Sequence, residues 1–137
     1  MRPFKLTTWN VEHANSTLAQ LEGTARPRRR QTVADMQAQA RAKVAAIAAE
    51  IAAVDPDILF VCEGPAGEDR ALRYFAEAAP GYRLVMHGDA TGKAYATRGQ
   101  QWLWFLVKEG FAASVSLLPV ETWQAFTRDQ TEGATAD

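Results

Sequence analysis

The sequence predicts a mixed α/β domain, on three observations. A strand-like run over residues 4–11 and an apolar run at Ile58-Leu59-Phe60-Val61-Cys62 flank one long helical pattern. A helical crossover makes the strands it joins parallel, and such crossovers are right-handed in nearly all cases. After the second strand the order continues as helix and then mainly strands, which implies a mixed sheet rather than a purely parallel one. No linker or internal repeat divides the 137 residues, so a single domain over residues 1–137 is expected.

The bulk chemistry is neutral. Fifteen basic residues against 16 acidic ones leave a net charge of -1, so no global field draws the chain to nucleic acid or membrane. Cys62 is the only cysteine, which excludes an internal disulfide framework and a thiolate-rich zinc site and suits a cytoplasmic protein. Arg2 and Lys5 resemble the start of a signal peptide, but Thr7, Thr8, Asn10, Glu12 and His13 interrupt any apolar segment that would follow. No run is long enough to span a membrane.

Taken in order, Phe4 to Val11 is rich in β-branched and aromatic residues and ends in polar Glu12-His13-Ala14-Asn15-Ser16. Residues 14–31 read as irregular, with a basic knot at Arg26, Arg28, Arg29 and Arg30 that suits a solvated loop or contact with phosphate. From Thr32 the apolar stripe Val33, Met36, Ala40, Val44, Ile47, Ile51 and Val54 predicts a helix. Thr32 and Asp35 have capping spacing, and Pro56 forces the helix to stop by about Val54. Ile58 to Cys62 lacks polar alternation and reads as a central strand covered on both faces.

Gly64-Pro65-Ala66-Gly67 predicts a turn, and Glu68 to Ala79 a second helix with Leu72, Phe75, Ala76 and Ala79 on its apolar side. Tyr82 to Met86 reads as a short strand, residues 87–101 as a polar loop, and Trp102 to Lys108 and Phe111 to Leu118 as strands around a Glu109-Gly110 turn. Residues 124–137 read as a frayed tail.

Parallel neighbours joined this way end at one sheet edge, which is where open α/β sheets bind ligands. Asn10 and Glu63 close the two strands and, about 4.8 Å apart as direct neighbours, are near enough to share a ligand. Glu12 points to the same side if the strand stays extended. A carboxylate, an amide oxygen and room for water suit Mg²⁺ or Mn²⁺ bridging to a phosphate. A rim glutamate and a turn-forming asparagine are the plainer readings of the same residues.

Thr8-Trp9-Asn10-Val11, followed after one helix by Asp55-Pro56-Asp57-Ile58-Leu59-Phe60-Val61-Cys62-Glu63, resembles the paired opening motifs of the endonuclease/exonuclease/phosphatase superfamily. The resemblance implies an α/β, DNase I-like αββα sandwich and a Mg²⁺- or Mn²⁺-dependent hydrolase of phosphoester bonds. Glu63 would be the principal metal ligand, Asn10 would position metal and scissile phosphate, and Glu12 would support them. Gly99-Gln100-Gln101 leading into Trp102-Leu103-Trp104-Phe105-Leu106-Val107 resembles the later strand pair of that fold.

The second half of such enzymes supplies an Asp-x-Asn segment and a closing Asp-His pair. Here the asparagines are Asn10 and Asn15 and the histidines His13 and His87, so neither segment is present. The chain therefore reads as the N-terminal part of such an enzyme, expected not to turn over substrate alone and to self-associate through an exposed apolar face. The competing class is a non-catalytic remnant or binding module with the same half-fold. The phosphoester itself is left open: DNA, RNA, inositol phosphates and lipid headgroups are all family substrates.

Other candidates read as structural. Gly88-Asp89-Ala90-Thr91-Gly92-Lys93-Ala94 has three residues between its glycines and alanine after the lysine, so it fails as a phosphate-binding loop. His87 reads as a solvated loop residue, His13 as loop packing or a weak substrate contact beside the site, and Cys62 as a small core hydrophobe facing away from Glu63. Trp102, Trp104 and Phe105 read as core rather than as a base-stacking platform.

Overall fold

The computed structural model describes residues 3–86 and 101–111. Among them the elements run β1 (Leu6–Asn10), α1 (Ala14–Leu21), α2 (Val33–Val54), β2 (Ile58–Pro65), α3 (Glu68–Ala78), β3 (Tyr82–Leu84) and β4 (Gln101–Lys108). The four strands form one mixed sheet in the order β1-β2-β4-β3. β1 pairs parallel with β2, Leu6 opposite Ile58 and Asn10 opposite Cys62, and β4 lies antiparallel to both β2 and β3. This is the mixed α/β arrangement the chain order predicts. The strand expected over 111–118, most of the 87–101 loop, and the 124–137 tail lie outside the described residues.

α2 keeps its predicted limits for the expected reasons. Thr32 and Asp35 form a reciprocal capping box, the Thr32 Oγ1 accepting from the Asp35 amide at 3.0 Å and the Asp35 carboxylate accepting from the Thr32 amide at 3.1 Å. At the other end Asp55 turns left-handed at φ 50° ahead of Pro56. Two contacts fix how α2 lies along the sheet. Lys5 Nζ donates to the Val54 carbonyl at 2.6 Å, and Lys43 Nζ reaches the Glu12 carbonyl at 3.5 Å. Residues 43–54 thus span the sheet from one end of β1 to the other. The ten residues from Val33 to Ala42 extend beyond the edge where Asn10 lies, by about 15 Å at 1.5 Å per residue.

α1 covers that overhang. This helix corrects the irregular reading of residues 14–31. Ala14 and Leu18, one turn apart, are buried with Val44, and Gln37 Nε2 donates to the Leu21 carbonyl at 3.0 Å.

The sheet has two unlike faces. Leu59, Val61, Trp104 and Leu106 point to the helices and are fully buried with Val44, Ile51, Tyr74 and Phe75. The other face carries Leu6, Phe60, Leu103 and Phe105, and Leu6 is 56%, Leu103 48% and Phe105 37% exposed. β2 is therefore sealed on one face and half-buried on the other, not covered equally on both. Trp104 is core as expected, Trp102 is half-buried, and Phe105 is on the open face with its ring 4.8 Å from that of Phe60.

α3 also turns differently from expectation. Its buried stripe is Ala71, Tyr74, Phe75 and Ala78, while Leu72 is 46% exposed and Ala76 is exposed. Two adjacent aromatic rings, edge to face at 5.2 Å, bury more apolar area than Leu72 alone and set the rotation of the helix.

Candidate functional site

The two strands bring Asn10 and Glu63 together at one sheet edge. Asn10 Nδ2 donates to Glu63 Oε1 at 3.0 Å, and the Asn10 Oδ1 accepts from the Glu12 amide, also at 3.0 Å. The second bond fixes the amide orientation, because a backbone N–H must meet an oxygen. Asn10 thus ends its strand with a side-chain turn and uses its remaining donors to hold the carboxylate. Its oxygen is committed to Glu12, so Asn10 acts here as a clamp on Glu63.

Simple alternation along β2 would send Glu63 to the helix side with Leu59 and Val61. A bulge prevents this. Val61 pairs with Trp104 and Gly64 with Trp102, so Cys62 and Glu63 together oppose Leu103. Glu63 sits within the bulge at φ 58°, a left-handed backbone that non-glycine residues rarely adopt. The inserted residue frees the Glu63 side chain for Asn10 and for Gln101, whose Nε2 donates to Glu63 Oε2 at 3.2 Å. Gly64 then faces the helix side, directly under the Trp104 indole. Cys62 is half-buried at the register position of Asn10, which corrects its expected seat in the core.

The strand ends at Asn10, so the extended backbone needed to align Glu12 with Asn10 is not formed. Glu12 has φ 27° and His13 φ 63°, and the exposed Glu12 carboxylate meets His13 Nε2 at 3.2 Å. Three of the five non-glycine residues with positive φ among the described residues, Glu12, His13 and Glu63, are thereby gathered at one edge. Such strain persists where surrounding structure enforces it, and it clusters at functional sites.

A cleft of about 650 Å³ opens beside this pair, lined by His13, Ala14, Asn15, Ser16, Ala66, Arg70 and Gln101. Asn15 Oδ1 accepts from the Ala66 amide at 3.1 Å, which ties the start of α1 to the loop after β2. Gln101 joins cleft and carboxylate, since it lines the one and donates to the other. Neither Arg70 nor Gln101 is a site residue in the sequence reading. Arg70 lies seven residues after Glu63, but no residue pattern around it in the sequence marks it as part of a site.

Divalent-ion binding can be weighed against these contacts. No three His, Cys, Asp or Glu side chains among the described residues group as a metal site. Magnesium needs fewer, since it is held by one or two carboxylates with waters and substrate phosphate. Glu63 accepts only from neutral amides and has no cationic partner among the described residues. A half-buried carboxylate left unneutralised in this way suits a hard cation.

Fold and site together define a mixed α/β domain with a clamped, strained carboxylate at the carboxyl edge of a parallel strand pair. No family model, no curated protein and no solved structure matches the chain. Among the described residues no helix is long and apolar enough to cross a membrane. His87 and the Gly88 to Ala94 segment lie outside the described residues.

Proposed function

We propose that this chain is a DNase I-like domain of the endonuclease/exonuclease/phosphatase superfamily, a Mg²⁺- or Mn²⁺-dependent phosphoester hydrolase fold with Glu63 as its metal carboxylate. The 3.0 Å bond from Asn10 Nδ2 to Glu63 Oε1 carries the reading, because it joins the two motif residues across 53 positions of sequence. The left-handed backbone at Glu63 supports it, since that strain aims the carboxylate at the edge instead of into the core. The open apolar face of the sheet suits the stacking of a second sheet, as in a sandwich.

A bound Mg²⁺ or Mn²⁺ would neutralise charge on the phosphoryl oxygens. The residues of this chain do the rest of the binding work. Glu63 offers the oxygen, Asn10 and Gln101 fix its rotamer, and Glu12 acts through its backbone amide by orienting Asn10. With no Asp-x-Asn segment and no Asp-His pair in the sequence, the chain alone binds metal without turnover.

Isothermal titration of Mn²⁺ into the wild type, Glu63→Gln and Asn10→Ala tests this. Weak binding is expected in the wild type, loss in Glu63→Gln, and a several-fold weakening in Asn10→Ala. Identical heats in all three would refute the metal site. Metal-dependent phosphoester cleavage by the pure wild type, lost in Glu63→Gln, would refute the lack of turnover.

A further inference from the structure

The cleft beside Glu63 contains a cation with no assigned task. Arg70, in the first turn of α3, lines it and has no hydrogen bond or ion pair among the described residues. Arg73, one turn on, shows the ordinary alternative: its Nε lies 2.9 Å from Glu22 Oε1. Arg70 is half-buried, and among the described residues no acidic side chain lines the cleft with it. Its polar lining is His13, Asn15, Ser16 and Gln101, all able to donate a hydrogen bond. The volume, about 650 Å³, falls among small-ligand sites. A guanidinium held apart from carboxylates in a donor-lined cleft selects a phosphate, which it can grip with two parallel bonds.

A second group of arginines lies on the same edge. Arg26, Arg28, Arg29 and Arg30 immediately precede α2, whose first ten residues project about 15 Å beyond the sheet edge. Gly23, at the end of α1, packs against Val33 and Gln37, so these arginines lie at the tip of the projection. Arg28, Arg29 and Arg30 line a separate hollow there with Gln31, Gln39 and Asp35, whose carboxylate is held by the Thr32 amide and hydroxyl. A small phosphate compound can fill one of these places. An extended polyanion is needed to reach both.

We propose that the Arg70 cleft binds the phosphate neighbouring the scissile one, and that the substrate is a nucleic-acid strand whose further phosphates run toward the arginines at the start of α2. The location beside the scissile bond rests on the metal-site reading of Glu63; the phosphate subsite itself does not. Arg70 is a binding residue, separate from the Asn10–Glu63 clamp.

Binding to the full chain is measured by titration calorimetry with a thymidine dinucleotide bearing a 5′-phosphate and the same dinucleotide without it. The terminal phosphate should tighten binding roughly tenfold in the wild type, as expected of a charged hydrogen-bonded contact. That gain should vanish in Arg70→Gln, return in part in Arg70→Lys, and persist in Glu63→Gln. Mn²⁺ binding should be unaffected in Arg70→Gln, so failure of the subsite and failure of the metal site give different results. Equal affinities for the two dinucleotides, no binding at millimolar concentration, or a gain that survives Arg70→Gln would overturn the subsite. A thymidine octamer should bind the wild type more tightly than inositol trisphosphate. Its salt dependence should flatten when Arg26, Arg28, Arg29 and Arg30 are replaced by glutamine. Tighter binding of inositol trisphosphate, or an unchanged salt slope, would overturn the assignment to a nucleic-acid strand.

Discussion

The Trp104 indole occupies the space where a side chain at Gly64 would be. A Cβ at Gly64 would lie 2.4 Å from Trp104 Cδ1 and 3.2 Å from the Trp102 carbonyl oxygen. Trp104 cannot move aside freely, because it is fully buried and its Nε1 donates to the Pro65 carbonyl at 2.8 Å. The contact therefore locks the residue next to Glu63, and with it the bulge that aims the carboxylate.

Gly64→Ala should accordingly cost about 1–3 kcal/mol, the usual range for overpacking a core. Mn²⁺ binding should fall with it even though no ligand is changed. Urea denaturation together with calorimetry checks both, and unchanged stability would mean that Trp104 yields.

Glu63 itself should show a conflict between stability and binding. A non-glycine residue in left-handed backbone costs about 1–2 kcal/mol, so Glu63→Gly should be about 1 kcal/mol more stable than Glu63→Gln. Both variants should lose Mn²⁺. Equal stability of the two in urea would indicate that the φ of 58° carries no strain.

Tyr74 gives a test in the core. Its hydroxyl is buried without a partner among the described residues, and burial pushes its pKa up to about 12. Tyr74→Phe removes an unsatisfied polar group while keeping the ring packed against Phe75, so it should stabilise the fold by about 1 kcal/mol. Thermal unfolding reads this directly, and a loss of stability would point to a hydrogen bond at that oxygen.

Two carboxylates make the fold sensitive to acid. The hydrogen bond from the Thr32 hydroxyl holds Asp35 below its usual 3.8, and that from Lys108 does the same for Asp55. Because these folded-state values are lowered, the stability they contribute is present above pH 3.8 and is lost as pH falls through them. Unfolding measured from pH 5 to 2 should decline less steeply in the Asp35→Asn, Asp55→Asn double variant. Parallel curves would show the two groups to be uninvolved.

What could be seen in the sequence follows from how local each cause is. Thr32, Asp35 and Pro56 act within a turn of themselves, so the ends of α2 are legible from single residues. The meeting of Asn10 with Glu63 is legible because a long helix between two strands forces them parallel. α1 escapes notice because Ala14, Leu18 and Leu21 make only two turns of apolar spacing, set among Asn15, Ser16 and Thr17. The facing of Cys62 and Glu63 is hidden for a different reason. Alternation is a rule about regular strands, and the inserted residue here depends on Trp104, some 40 positions further on. Arg70 and Gln101 join the site only through tertiary contacts.

The 53-position separation between Asn10 and Glu63 also governs when the site comes into being. No hairpin and no isolated helix contains both residues, so the clamp cannot assemble until α2 has carried β2 back alongside β1. Nascent chains that have not completed this crossover present Glu63 without its amide partner. The hydrogen bond from Asn10 to Glu63 then becomes a late reporter of folding, one that distinguishes a closed parallel pair from a chain that is merely helical and collapsed.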